Sequence, residues 1–482
     1  IAKELLMQRL LRYRFCRRNH ATKNQKEPNI VHKYIMPHFR KVNKLPHTQA
    51  LLIFGLLDWM KCMTITCRIT FAISLITTMP NPNISAANYN EDKVPKYNLT
   101  EPLSMKDGTP IKSAKEWETK RRPEILNLFR EHVYGHSKEK PSGLKFKVIQ
   151  NDPTALNGSA IRREVLITFA RKEETPEASL LIYLPKGKDG PFPTFLTTNF
   201  YGNHTINPDP GISITRSWVR NEKKWDIEKN RAGEKSRGVR QSRWAVEKIL
   251  NRGYALATIY YGDIDPDFDD NFSNGVHRLY SKPKPNDWGS IATWAWGLSR
   301  CLDYLETDKD INAKKVAVMG HSRLGKTALW AGAEDERFAL VISNNSGCGG
   351  AALSRREFGE TVKRINKSFP HWFCDNFNKY NDRINDLPVD QHLLISLAAP
   401  RPVYIASASQ DKWADPKGEF LSAYYASPVY ELFNLKGLDS PNQPKNNHSV
   451  GGNIGYHIRS GKHDVTDFDW EQYLNFADRH IK

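Results

Sequence analysis

The stretch that decides the fold is Val316-Ala-Val-Met-Gly-His-Ser-Arg-Leu-Gly-Lys-Thr-Ala-Leu-Trp330. Its apolar beginning predicts a short buried strand, and the periodicity from Thr327 onward predicts a helix. A serine at the tip of a tight strand-to-helix turn is typical of a nucleophile elbow, in which the hydroxyl stands clear of the sheet near the positive end of the helix. The common form is G-x-S-x-G, but here Leu324 takes the place of the second glycine and Gly325 follows it. The alternative interpretation is a serine in an ordinary strand-to-helix turn.

Predicted strands and helices alternate along most of the chain. The strands are expected at residues 144–149, 162–169, 178–184, 194–198, 254–260, 316–319, 338–343 and 403–407, and the helices at residues 117–132, 244–250, 288–305, from 327 onward and at 470–480. Alternation of this kind predicts a mostly parallel central sheet with helices on both faces, and the elbow makes it an α/β-hydrolase fold. We predict a single such domain over residues 110–482, with long loop insertions.

The positive charge is concentrated at the start of the chain. Of the formal net charge of +18, residues 1–68 carry +11, from 14 Lys and Arg against 3 Asp and Glu. No zinc-finger, helix-turn-helix or RNA-binding signature accompanies this charge, so a nucleic-acid partner is not indicated. The six cysteines form no C-x-x-C pair, which argues against a zinc site or a redox motif. No metal ion or organic cofactor is indicated.

Residues 63–87 have the pattern of a secretory signal peptide. Arg68 supplies a positive flank, residues 69–79 are apolar, and Ser85-Ala86-Ala87 is a small-residue cleavage site. A buried strand or helix is the alternative. We therefore expect residues 1–62 to be absent from the mature protein, residues 88–109 to form a polar leader, and the protein to be secreted or periplasmic. We expect no membrane-spanning segment in the mature form, because the upstream apolar patch is far too short to cross a bilayer.

The elbow serine, Ser322, needs two partners. A histidine must take the hydroxyl proton, and a carboxylate must fix that histidine and stabilise its charged form. In this fold the chain order is serine, acid, histidine. His463 is the best-placed histidine, in a loop just before the last predicted helix, and His457 is its competitor.

The expected acid is Asp411, which follows the predicted strand at residues 403–407. A carboxylate at the carboxyl end of a strand points into the crevice that the elbow also faces. Asp415 and Asp390 are the alternatives.

Two cations, Arg323 and Lys326, follow the nucleophile. Cations at a helix N-terminus oppose the helix dipole, so a functional reason is favoured over a solvent-exposed face. They suit an oxyanion and a substrate rich in oxygen acceptors. The loop at residues 199–204 lies where hydrolases of this fold place a second oxyanion donor, and a plain connecting loop is equally compatible.

Four motifs together carry a family resemblance: Gly320-His-Ser-Arg-Leu-Gly-Lys326, Asn345-Ser-Gly-Cys-Gly-Gly350, Asp411-Lys-Trp413 and Gly455-Tyr-His-Ile-Arg459. With them the chain resembles the bacterial glucuronoyl esterases of carbohydrate esterase family 15 over residues 110–482. The resemblance implies a serine esterase that cleaves the ester between 4-O-methyl-D-glucuronoyl side chains of glucuronoxylan and lignin alcohols. It also implies the roles of individual residues: Ser322 as nucleophile, His463 as base, Arg323 at the oxyanion, and Lys326, Glu360 and Trp413 as sugar contacts. A surface Lys326–Glu360 ion pair and a core tryptophan are the alternatives for the last three.

The chain departs from the family pattern at two places. Many members carry the acid as a glutamate where this chain has Asn345, so the reaction here depends on Asp411. Fungal members have a disulfide beside the serine and the histidine, where this chain has His321 and Asp464. Cys348 and Cys374 are a possible pair in an exported protein.

Competing functions are another carbohydrate esterase, such as an acetyl xylan esterase, or a catalytically silent carbohydrate-binding relative. The expected partners are glucuronoxylan and lignin–carbohydrate esters, and we expect a monomer.

Overall fold

A computed structural model describes residues 86–280 and 284–482. Within these ranges, residues Ala87–Lys482 form one compact unit. Residues 1–62 and the core of the candidate signal peptide lie outside the described residues. None of the helices in the described part is both long and apolar enough to cross a membrane.

The described chain is organised around one ten-stranded sheet with the order β1-β2-β3-β5-β4-β6-β7-β8-β10-β9. The strands are β1 (Gly143–Ala155), β2 (Ala160–Ala170), β3 (Glu177–Pro185), β4 (Phe192–Asn199), β5 (Ala255–Tyr260), β6 (Ile311–His321), β7 (Leu340–Asn344), β8 (Val403–Ala408), β9 (His448–Gly451) and β10 (Ile454–Arg459). From β5 to β10 all neighbours are parallel, whereas β1, β2, β3 and β5 pair antiparallel, as do β9 and β10. The short turns that join the first three strands leave no room for a crossover helix, so those strands cannot be parallel.

Helices cover both faces of this sheet. In the described part of the chain, the α-helices of six residues or more are α1 (Arg122–Phe129), α2 (Val246–Asn251), α3 (Ser290–Leu305), α4 (Arg323–Glu334), α5 (Val362–Ser368), α6 (Gln391–Ser396), α7 (Pro416–Glu431) and α8 (Asp467–His480). The central strand β6 sends Val316 and Val318 into the core beneath α3 and α4, and Ala317 and Met319 into the core beneath α2 and α8. A strand that is buried on both faces has a continuous run of apolar residues, which explains the apolar stretch Val316–Met319 before the elbow.

The fold class is as predicted, and the differences are local. The helices α5, α6 and α7 and the strands β9 and β10 were not predicted. Pro428 lies inside α7, and proline in a sequence argues against a helix interior. The segment predicted as one helix at residues 117–132 is helical from Ala114 to Tyr134, with wider turns at Trp117–Arg121 and Arg130–Tyr134.

The segment expected as a separate leader, residues 88–109, is part of the compact unit. The carbonyl of Asn88 accepts a hydrogen bond from the Gly359 N–H at 2.8 Å, and Glu91 pairs with Arg356 at 2.9 Å and with Lys417 at 2.8 Å. The compact unit therefore begins at Ala87. Residues 88–109 are attached to the rest of it by these ion pairs and backbone bonds and by Leu103 and Met105, which pack against the core.

Candidate active site

Ser322 stands at the turn between β6 and α4, as the elbow predicts. Its φ angle is +59°, a region that favours glycine, and its backbone N–H donates to the Asn344 carbonyl at 2.8 Å. A non-glycine residue at positive φ is strained and is kept there by its surroundings, which is common at active sites. A side chain at Gly320 would meet the Leu324 carbonyl oxygen at 1.8 Å, so only glycine allows this turn.

The displaced second glycine also has a structural reason. A Cβ atom on Gly325 would lie 3.0 Å from the Ser346 Cβ and 3.2 Å from the Asn344 carbonyl oxygen. At position 325 the backbone of α4 therefore lies directly against the loop after β7. Leu324 is buried in the core, which explains why an apolar residue is accepted at the usual glycine position.

His463 and Asp411 are brought together across the carboxyl ends of the strands. The His463 Nδ1 lies 2.5 Å from the Asp411 Oδ2, with Asp411 buried and His463 on the surface of the crevice. A carboxylate can only accept, so Nδ1 carries the proton and Nε2 is left as an acceptor. The rings of His463 and His321, the residue before the nucleophile, are 4.5 Å apart. Within the described residues no hydrogen bond joins the Ser322 hydroxyl to His463.

Asn345 has a role that its sequence position did not reveal. Its Nδ2 donates to the same Asp411 oxygen at 3.0 Å. The amide therefore cannot be the acid, but it holds the acid from the loop after β7. This contact orients the Asp411 carboxylate toward the histidine.

The alternative acids and the alternative histidine are all occupied elsewhere. Asp415 accepts from the Gly418 N–H at the start of α7 and from Arg356, at 3.0 and 2.8 Å. Asp390 accepts from the N–H groups of Ser354 and Gln391, at 2.7 and 2.8 Å. The competing histidine is equally fixed: the two ring nitrogens of His457 lie 2.9 Å from Asp469 and 3.0 Å from Tyr404.

The Arg323 guanidinium is held by a carboxylate from a distant loop. It forms a very short ion pair with Asp267 and lies 4.8 Å from the centre of the Trp372 ring. Asp267 also accepts from His371 and Trp372, at 2.9 and 2.7 Å. Burial would raise the pKa of Asp267, but the charge of Arg323 and these hydrogen bonds hold the pKa well below its usual value. The cation beside the nucleophile is thus fixed and neutralised.

Replacing Asp267 by alanine should lower the free energy of unfolding by about 3–5 kcal/mol, because Arg323 would be left buried without a counter-charge. The depressed pKa of Asp267 means that its contribution is present above its unfolded pKa of about 4 and is lost as the pH falls toward the folded value. Urea unfolding at several pH values measures both effects. The control is Asp382→Ala, which removes an exposed ion pair with Lys363 and should cost less than about 1 kcal/mol. Equal losses in the two variants would contradict the prediction.

Lys326 and Glu360 form a second ion pair beside the elbow. The Lys326 Nζ lies 3.7 Å from the Glu360 carboxylate, and both side chains are buried, with 5% and 7% exposed. The Lys326 ammonium also donates to the Ser346 carbonyl at 2.5 Å. Burial raises the pKa of Glu360, and this is partly offset by Lys326 and by a hydrogen bond with Trp413. The alternative of a surface ion pair is therefore wrong.

Trp413 is an exposed side chain rather than a core tryptophan, with 39% of its surface accessible. Its carbonyl accepts from the Glu360 N–H at 3.0 Å, and the Arg364 guanidinium lies 5.5 Å from its ring centre. An open indole next to a buried ion pair suits the apolar face and the hydroxyl groups of a sugar ring.

Two related proteins are similar to this chain over most of its length. Carbohydrate esterase MZ0003, from an unknown prokaryotic organism, is 54% identical over 428 residues, which cover 86% of this chain and 98% of that one. A promiscuous esterase of carbohydrate esterase family 15 from a marine bacterial metagenome has a solved structure that is 56% identical, with a TM-score of 0.77, over 82% of this chain and 100% of that one. The chain belongs to the glucuronoyl esterases of carbohydrate esterase family 15.

The other comparisons agree with this family. The glucuronoyl esterase from Solibacter usitatus is 50% identical with a TM-score of 0.77, over 81% of this chain and all of that one. The fungal glucuronyl esterase family model matches residues 246–434. A 4-O-methyl-glucuronoyl methylesterase from Phanerochaete carnosa is 27% identical over 357 residues, covering 72% of this chain and 74% of that one. The protein is a carboxylic ester hydrolase with an α/β-hydrolase fold, as the sequence predicted.

The loop at residues 199–204 of the esterase lies next to the elbow. The Asn199 side chain donates to the Asn203 side chain at 2.7 Å, and the His204 Nε2 lies 2.8 Å from the hydroxyl of Ser236, outside the loop. Phe200 lies 5.7 Å from the Arg323 guanidinium. The oxyanion role considered for this loop stays a prediction.

One buried carboxyl group of the esterase, that of Glu419, was not predicted from the sequence. Glu419, on the unpredicted helix α7, accepts from the N–H groups of Ser346 and Gly347 at 2.7 and 3.0 Å and from the Ser407 hydroxyl at 2.6 Å. Burial raises the pKa of Glu419 to about 8, although these hydrogen bonds oppose the rise. Glu419 therefore supports the loop that carries Asn345. Asp267 was missed for a similar reason, since it lies in a loop with no recognisable motif.

Cys348 and Cys374 of the esterase are both buried free thiols. The pair considered from the sequence is therefore not bonded. Burial raises the pKa of the Cys374 thiol to about 12, which leaves it protonated and unreactive at neutral pH.

Proposed function

We propose that this esterase hydrolyses the ester between 4-O-methyl-D-glucuronoyl side chains of glucuronoxylan and lignin alcohols, through an acyl-enzyme on Ser322. The observation that carries the proposal is the His463–Asp411 hydrogen bond of 2.5 Å beside the strained Ser322 elbow. The buried Lys326–Glu360 pair and the open face of Trp413 supply sugar contacts on the same side of the elbow.

The reaction proceeds in two balanced halves. The Ser322 hydroxyl attacks the C6 carbonyl carbon while His463 Nε2 takes its proton, which requires the two groups to approach hydrogen-bond distance in the substrate complex. The tetrahedral oxyanion is stabilised next to Arg323, and its collapse releases the alcohol, which receives the proton from His463. Water then attacks the acyl-enzyme, His463 takes a proton from that water, and the uronic acid leaves as Ser322 regains its hydrogen.

The charge arrangement favours a uronate ester over an acetyl ester. Arg323 and Lys326 are both neutralised by buried carboxylates, so they present hydrogen-bond donors without an excess of charge. A neutral glucuronate ester carries ring hydroxyls for these donors, whereas an acetyl group has none. The second candidate, a carbohydrate deacetylase, has no such support.

The test is a comparison of two substrates with the purified protein. The methyl ester of 4-O-methylglucuronic acid should be hydrolysed, with the uronate detected by chromatography, and acetylated xylan should release little acetate. Acetate release without uronate release would overturn the proposal. Binding of xylan with no hydrolysis of either ester would support the catalytically silent relative.

Replacing Trp413 by alanine should raise KM for the glucuronate ester by about 10-fold and leave kcat within a factor of about two, because the indole binds the ground state and the transition state alike. Tyr425→Ala is the matched control, since Tyr425 is equally exposed at 39%. Steady-state kinetics of the two variants measure the difference. A fall in kcat with unchanged KM would assign Trp413 to the chemistry instead.

A polymeric cell-wall substrate also implies that the enzyme works outside the cytoplasm. Residues 63–87 would then direct export and be removed, and the mature enzyme would act as a monomer. N-terminal sequencing of the exported protein tests the first point, and light scattering tests the second. A mature chain that still contains residues 63–87 would contradict the export signal.

A further inference from the structure

A buried polar network joins Asp469 through Asn344 to His321, whose ring packs against that of His463. The Asp469 Oδ2 accepts from Arg459 and from the N–H of Thr466, both at 2.7 Å. Its Oδ1 is within hydrogen-bond distance of His457 at 2.9 Å and of the Asn344 side-chain nitrogen at 3.3 Å. Although burial opposes it, the hydrogen bond from His457 and the charge of Arg459 keep the pKa of Asp469 below its usual value. Asp469 is therefore a carboxylate that only accepts.

This carboxylate fixes the orientation of the Asn344 amide. The nitrogen faces Asp469 and also donates to the Tyr473 hydroxyl at 2.7 Å. The amide oxygen consequently faces His321, whose Nδ1 lies 2.6 Å away. Because an amide oxygen only accepts, Nδ1 of His321 must carry the proton. The Nε2 atom then holds a bare lone pair, and it is buried without a hydrogen-bond partner.

His321 is thereby held as a neutral imidazole. It is 5% exposed, and burial, with the nearby positive charges of His463 and Arg243, keeps its pKa well below the ordinary value. The Phe200 ring packs on it at 6.1 Å. A neutral ring fixed at one edge by Asn344 and packed against Phe200 has little freedom to move.

The face of this ring supports His463. The two ring centroids are 4.5 Å apart, with the planes inclined by 40°. His463 is thus held at its Nδ1 edge by Asp411 and on its face by His321, while its remaining surface is exposed. A neutral aromatic face attracts a cation, so the contact favours the imidazolium form that appears during catalysis.

We infer that His321 is a positioning residue, which sets the ring plane of His463 and stabilises its protonated form, and that the Asn344–Asp469 pair keeps His321 in the neutral tautomer this task requires. The inference rests on the proposed role of His463 as the base. It goes beyond that proposal because it gives the catalytic histidine a second support that is neither acid nor nucleophile.

The charged groups near the His463 and His321 rings are Asp411, the Asp464–Arg243 ion pair and Arg240, whose charge acts on His321. Asp411 faces His463 from the end of β8, and His321 faces it from the end of β6. The neighbouring carboxylate, Asp464, is engaged in a very short ion pair with Arg243. Replacing His321 therefore removes a neutral ring and leaves the charged groups around His463 in place.

The first experiment replaces His321 by alanine and by phenylalanine. His321→Ala should lower kcat on the methyl glucuronate ester by about 10-fold with KM unchanged, because the base loses its orientation. The acid limb of the pH–rate profile should move down by about half a pH unit, since the protonated form of His463 loses its aromatic contact. His321→Phe keeps a flat ring against His463 and should recover most of kcat and the original acid limb.

The matched control is His392→Ala, which removes another fully buried histidine, bonded at 2.8 Å to the Thr100 carbonyl. It should lower thermal stability without moving the acid limb. A kcat and an acid limb in His321→Ala equal to those of the parent would overturn the inference, as would an equal shift in His392→Ala.

The second experiment needs no variant and no substrate. Nitrogen-15 NMR of the histidine rings in the parent protein should show His321 neutral, with its proton on Nδ1, from pH 5 to pH 9. A His321 ring that titrates in this range, or that carries its proton on Nε2, would overturn the inference. Failure of the parent to cleave glucuronate esters would refute the proposed substrate alone, because the NMR result does not depend on it.

Discussion

Ser322→Ala is expected to lower kcat by about 10⁴-fold or more, with KM for a glucuronate ester close to that of the parent. In the proposed mechanism the Ser322 hydroxyl oxygen forms the acyl bond, whereas the proposed sugar contacts at Lys326, Glu360 and Trp413 stay in place. The residual rate is that of water attacking an ester held in the same site. Single-turnover kinetics with a chromogenic leaving group measure it and also show whether an acyl-enzyme still accumulates.

The control for this variant is Ser460→Ala. Ser460 is an exposed serine just after β10, and its hydroxyl is bonded only weakly, to Asn447 at 3.3 Å. Its removal should leave kcat unchanged. Activity of Ser322→Ala equal to the parent would mean that another residue is the nucleophile.

Asp411→Asn is expected to lower kcat by about 10⁴-fold, because an amide can neither stabilise the imidazolium nor keep the proton on Nδ1. Asp411 is the buried carboxylate in contact with His463, at 2.5 Å. The loss should appear in kcat rather than in KM, since the fold and the sugar contacts do not depend on this charge. A loss of less than 10-fold would move the acid to another carboxylate, with Asp464 as the nearest in sequence to His463.

Asn345 allows a sharper version of this experiment. Its amide nitrogen is 3.0 Å from the Asp411 oxygen, so a carboxylate at position 345 would stand beside the same histidine. The double variant Asp411→Asn with Asn345→Asp should recover about 10-fold to 100-fold of the lost kcat, as expected when orientation is only partly restored. If kcat is not recovered, a carboxylate can support His463 only from position 411, after β8, and not from position 345.

The contact between His463 and Asp411 could be anticipated, because Asp411 follows a predicted strand, His463 precedes the last predicted helix, and the chain order serine, acid, histidine is characteristic of the fold. The catalytic roles of these residues stay predictions. The burial of both faces of β6 explains why that strand was the clearest signal in the sequence. The partners of these residues could not be predicted in the same way. Asp267 reaches Arg323 from 56 positions upstream, and Glu419 lies on a helix whose internal proline hides it.

The role of Asn345 shows a different limit of prediction from the sequence. Its loss of charge was visible in the sequence, and it could be interpreted as a loss of catalytic function. The three-dimensional contact shows instead that the amide donates to Asp411, the expected acid. In the same way, the sequence of the elbow motif does not show a role for His321. That role depends on which ring nitrogen bears the proton, and the neighbouring side chains determine this.

The hydrogen bond from Gly359 to Asn88 ties the start of the compact unit to the segment that carries Glu360. The next residue after that glycine is Glu360, and Glu91 pairs with Arg356 a few positions before it. If residues 63–87 are removed on export, as proposed, a cut five residues beyond Ala87 would remove both Asn88 and Glu91. The position of that cut would then decide whether the segment around Glu360 keeps its two contacts with the start of the chain.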